Sequence, residues 1–67
     1  EDAREMLKFD LENEQETVRA YRMRIRQAEA MGEFALSEIL REIIVQEQEH
    51  EIDLATALGI MVPEARN

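Results

Sequence analysis

Cysteine is absent from this chain, which rules out a disulfide framework and a thiolate metal site as sources of stability. Basic residues are scarce: 8 Lys and Arg stand against 16 Asp and Glu, for a formal net charge of −8. A phosphate backbone is gripped by clustered cations that displace its counterions, so this balance argues against nucleic acid as a partner. Most of the acidic residues read as a solvated face, whose field also attracts cations. No apolar run approaches the roughly 18 residues needed to cross a bilayer, and no basic, apolar and small-residue succession marks a signal peptide. No membrane is expected as a partner, and the expected location is cytoplasmic. An initiator Met is lacking too; the chain opens at Glu1-Asp2, which raises the expectation that it is the tail portion of a longer protein.

A chain of 67 residues makes one small domain and buries a small share of its surface, so a helical chain of this size is expected to gain its core by association. Asp2 followed by Glu5 has the form of a capping box, which starts a helix near Ala3. From there Leu7, Leu11, Glu14, Val18, Tyr21, Ile25 and Ala28 recur at spacings of four and three, one continuous stripe along a helix over residues 3–31. Gly32 is the first glycine and the natural turn. A second helix over residues 34–58 carries the stripe Leu36, Leu40, Ile43, Glu47, His50, Leu54 and Ala57. Gly59 and Pro63 then stop it, leaving a tail over 59–67. The fold class is all-α: an antiparallel two-helix hairpin. Met6, Phe9, Met23, Ile39, Ile44, Val45 and Ile52 lie off the stripes, and such surplus apolar surface marks an interface, so a homo-oligomer of at least two chains is expected.

Three stripe positions are polar: Glu14, Glu47 and His50. An ionised carboxylate turned into a core costs several kcal/mol unless it is paired or bound to a metal. Glu14 lies 18 residues before Gly32 and Glu47 lies 15 after it. At about 1.5 Å rise per residue they differ in height by roughly 4–5 Å, within the span of a turn, and are therefore level. The Glu-x-x-His spacing of Glu47 and His50 puts both on one helical face, where they can reach one ion. Two such hairpins related by a twofold axis would supply four carboxylates and two imidazoles, a donor set suited to iron or manganese, with zinc a competitor. A competing reading makes His50 a partly buried core histidine paired with Glu47 or Glu51, with Glu14 at an interface edge. Tyr21, two turns from Glu14, reads as a core tyrosine before it reads as a redox neighbour. Met6, Met23, Met31 and Met61 share no helical face and read as packing residues rather than haem or copper ligands.

The run from Glu1 to Leu11 followed by Glu14 resembles the third helix of bacterioferritins, and residues 38–42 leading into Glu47-Gln48-Glu49-His50 resemble the fourth. The gap between these motifs matches without insertion, and the similarity spans roughly residues 1–58. The resemblance implies a ferritin-like four-helix bundle, completed by dimerisation or by a missing N-terminal half. It also implies a di-iron ferroxidase centre with Glu14, Glu47 and His50 as catalytic and metal ligands. Fe(II) and dioxygen or peroxide would be its reactants, and iron storage or detoxification its purpose. The family's first two helices, which hold the other ligands and the Met that binds haem b, have no counterpart here, so haem cannot be placed on any residue of this chain. The tail departs from the family as well, since Gly59 and Pro63 end the last helix early. Two rivals remain at this point: a helical dimerisation module without metal, and a half-size di-iron oxidase held inside a protein compartment.

Overall fold

A computed structural model of the chain describes residues 3–59. Two helices, α1 (Ala3–Ala30) and α2 (Phe34–Ala57), fold back on each other as an antiparallel hairpin, with no strand among the described residues. No helix among them is long and apolar enough to cross a membrane. Asp2, the first member of the expected capping box, and the tail from Ile60 to Asn67 lie outside the described residues.

The turn is made by Gly32 at φ 78°. Its N–H donates to the Glu29 carbonyl at 3.0 Å and the Glu33 N–H donates to the Ala28 carbonyl at 2.8 Å. That pair of bonds is the Schellman arrangement, which occupies carbonyls left over at a helix C-terminus and needs a left-handed residue between them. Gly59, at φ 74°, is likewise left-handed at the end of α2, its N–H donating to the Thr56 carbonyl at 3.0 Å. Glu33 caps α2 without a side-chain hydrogen bond, but its negative charge suits the positive end of the helix dipole.

Beside the turn the helices are tied by a polar clasp. Glu29 of α1 accepts a hydrogen bond from the Ser37 hydroxyl at 3.1 Å and pairs with the Arg41 guanidinium, both from α2. Ser37 is 3% exposed, and its hydroxyl is satisfied. Arg41 first, then Ser37, holds the Glu29 carboxyl below the usual carboxylate range.

The hydrophobic seam joins Leu11, Val18 and Ala28 of α1 to Ile44, Ala55 and Leu58, all buried. At the open end Leu11, Ala55 and Leu58 form a cluster with Leu7 and Leu54 packed against it. On α1 the seam follows the stripe read from the spacing. On α2 it is rotated by one position: Ser37, Ile44, Ala55 and Leu58 are buried, whereas Leu36, His50 and Ala57, expected inside, are exposed. Ile44, expected among the surplus apolar residues, is instead part of the seam. The reason is geometric. The spacing marks a broad apolar arc, and a lone hairpin covers only the edge of it on the line between its two helices, about one residue or 100° round from the centre of the stripe.

Candidate metal centre

The helical positions of Glu14 on α1 and Glu47 and His50 on α2 bring one oxygen or nitrogen of each to within 4.8 Å of the others. Residues 47 and 50 are one turn apart on α2, and the hairpin sets Glu14 opposite them, as the counting from Gly32 predicts. The three differ in surroundings. Glu14 and Glu47 are half-buried at the margin of the seam, while the His50 side chain is 68% exposed. Nδ1 of His50 stands 4.0 Å from Oε1 of Glu14, an ion-pair distance too long for a direct hydrogen bond.

Glu14 is the electrostatically anomalous group. Its side chain is only 16% exposed, and its Oε2 is buried without a hydrogen-bond partner. Its pKa is raised to about 7, chiefly because a hydrogen bond to Glu47 requires a proton between the two carboxyls. Burial and the Glu47 charge push in the same direction, Glu51 adds to them, and His50 opposes. Two carboxylates cannot hydrogen-bond each other unless one is protonated, so the buried oxygen calls for a positive charge: a proton, or a metal ion that displaces it. Two carboxylates and an imidazole, without a thiolate, are donors that fit iron or manganese and also accept zinc.

A cleft that includes two of these residues is lined by Asp10, Asn13, Glu14, His50, Asp53 and Leu54. Asp10 and Asp53 were not singled out by the sequence reading, which counted them in the solvated acidic face. The signal was available: Asp10 is one turn before Glu14 and Asp53 one turn after His50. Glu51 was missed as part of the Glu14 surroundings for the same reason. Tyr21 is half-buried, and the Arg24 guanidinium sits 5.9 Å from its ring centre, a cation–π contact on the same helix.

Comparison with known proteins gives one finding. The family model for the ferritin-like domain matches residues 1–61. No curated protein and no solved structure matches the chain. With the all-helical hairpin and the convergent carboxylate and imidazole donors already in place, a match over nearly the whole sequence is sufficient: the chain belongs to the ferritin family.

Proposed function

We propose that this chain binds iron through Glu14, Glu47 and His50 and acts as a ferroxidase of the bacterioferritin type, with Fe(II) as its substrate. The observation that carries this reading is the convergence of the three donors within 4.8 Å around a buried carboxylate oxygen that has no partner. Ferrous iron is oxidised by losing one electron to dioxygen or peroxide, and the ferric product serves storage or detoxification. The chain's own part is to replace the water around the ion with fixed oxygen and nitrogen donors. Glu14 would give up its proton on binding, and Glu47 and His50 would complete the donor set around the ion. Asp10 and Asp53 present negative charge along the cleft by which a cation enters. The exposure of His50 means that a hairpin alone covers one side of the ion, so full activity belongs to an oligomer that covers the other.

The test is an anaerobic Fe(II) titration of the purified chain, followed by addition of oxygen. The expected result is saturation near one ion per chain and rapid appearance of ferric absorbance, both lost in Glu47→Ala. A folded helical chain that takes up no iron would leave a dimerisation module as the better description.

A further inference from the structure

We propose that Glu51 is the charge-balancing carboxylate of the metal centre: it stabilises bound iron in the ferric state over the ferrous state and so favours the oxidised product. This rests on the metal reading above and names the group that sets the redox balance of the same site.

The fold puts Glu51 where an apolar residue is expected. Ile44, Glu51 and Leu58 are spaced by seven, so they share one row along α2. Ile44 and Leu58 are buried, and Glu51 between them is half-buried. Gln48, one turn before it, and Gln15, next to Glu14 on α1, are half-buried as well. The apolar seam is therefore interrupted by a polar layer at the level of the metal ligands, and the buried cluster of Leu11, Ala55 and Leu58 lies on its open-end side.

Glu51 stands close enough for its charge to raise the proton affinity of Glu14, but it is not among the three residues whose donor atoms converge within 4.8 Å. It thus acts on a bound ion through its field rather than as a ligand. Among the described residues no Lys or Arg is ion-paired with Glu14, Glu47 or Glu51, and His50 makes the one ion-pair contact to the group.

Charge then decides the role. A ferrous ion is balanced by Glu14 and Glu47, since a coordinating imidazole is neutral. Loss of one electron to dioxygen or peroxide adds a positive charge in half-buried surroundings, where an uncompensated charge is costly. Glu51 supplies the missing negative charge without moving a proton or forming a bond. Its attraction grows with the charge of the ion, so it favours ferric over ferrous iron.

The experiment compares redox-inert ions of the two charges. Manganese(II) and gallium(III) are titrated, in one citrate buffer, into the wild-type chain, Glu51→Gln and Glu51→Asp. Glu51→Gln keeps the shape of the side chain and removes its charge, and it is expected to weaken gallium binding on the order of tenfold more than manganese binding. Glu51→Asp restores the charge and is expected to recover most of that difference. The same factor corresponds to an upward shift of about 59 mV in the potential of iron bound to Glu51→Gln. Equal loss of both ions, or no change in either, in a variant with the helical circular dichroism of the wild type would overturn this role and leave the metal reading standing. A wild-type chain that binds neither ion would remove the metal reading, and the role of Glu51 with it.

Discussion

The two halves of the hairpin are built on opposite terms. In the turn half the buried polar groups are satisfied: the Gly32 turn occupies its carbonyls, and Ser37 and Arg41 both reach Glu29. In the half nearer the open end, around Glu14, Glu47 and His50, a carboxylate is held at the edge of the seam with a buried, unpartnered oxygen beside a second carboxylate and an exposed imidazole. Ser37 is satisfied while an oxygen of Glu14 is not, and local conflicts of that kind collect where a protein binds or reacts.

The comparison is broken most directly by making the half around Glu14 resemble the turn half. Glu14→Leu removes the unpartnered carboxylate and is expected to stabilise the metal-free chain at pH 8 by on the order of 2 kcal/mol while abolishing iron binding. The pH dependence fixes the sign. The carboxyl titrates near 4.5 when unfolded and about 7 when folded. The folded chain therefore holds the extra proton between those values, and stability falls as pH rises through that window. The advantage of Glu14→Leu should accordingly be largest above pH 7 and shrink below pH 5, which urea denaturation at a series of pH values will measure. Next in size is Gly32→Ala. A Cβ there meets nothing within 4 Å, so its cost is confined to the left-handed backbone and should be about 1 kcal/mol. A melting temperature lower by several degrees, with iron affinity unchanged, is the expected outcome. Ser37→Ala should be the smallest, about 1 kcal/mol or less from one lost hydrogen bond, again with no effect on iron. If either turn-half substitution weakens iron binding as much as a ligand substitution does, the two halves are not separate in function.

Much of this was legible in the sequence, for identifiable reasons. Spacings of four and three mark a helix unambiguously, and Gly32 is a turn because it is the first glycine after a long periodic run. The level of Glu14 and Glu47 follows from counting residues to that turn. The rotation of α2 about its own axis was not legible. Leu36, Leu40 and Ile43 are apolar, and so are Ile44, Ala55 and Leu58 one position round. Periodicity defines a broad apolar arc without saying which edge of it the nearest helix covers, so His50 was expected inside and lies outside. Asp10 and Asp53 were lost among sixteen acidic residues, because charge count carries no position until the hairpin is built.

The most direct test of the central claim is the proton released when the ion binds. If the carboxyl of Glu14 holds a proton up to about pH 7 and an ion takes its place, then anaerobic calorimetric titration with Fe(II) at pH 6, compared in buffers of different ionisation enthalpy, should show nearly one proton released per ion. The release should fade by pH 8 and disappear, with most of the affinity, in Glu14→Gln. Binding of equal strength and proton count in Glu14→Gln would show that the ion sits elsewhere, and the account of this site would be wrong.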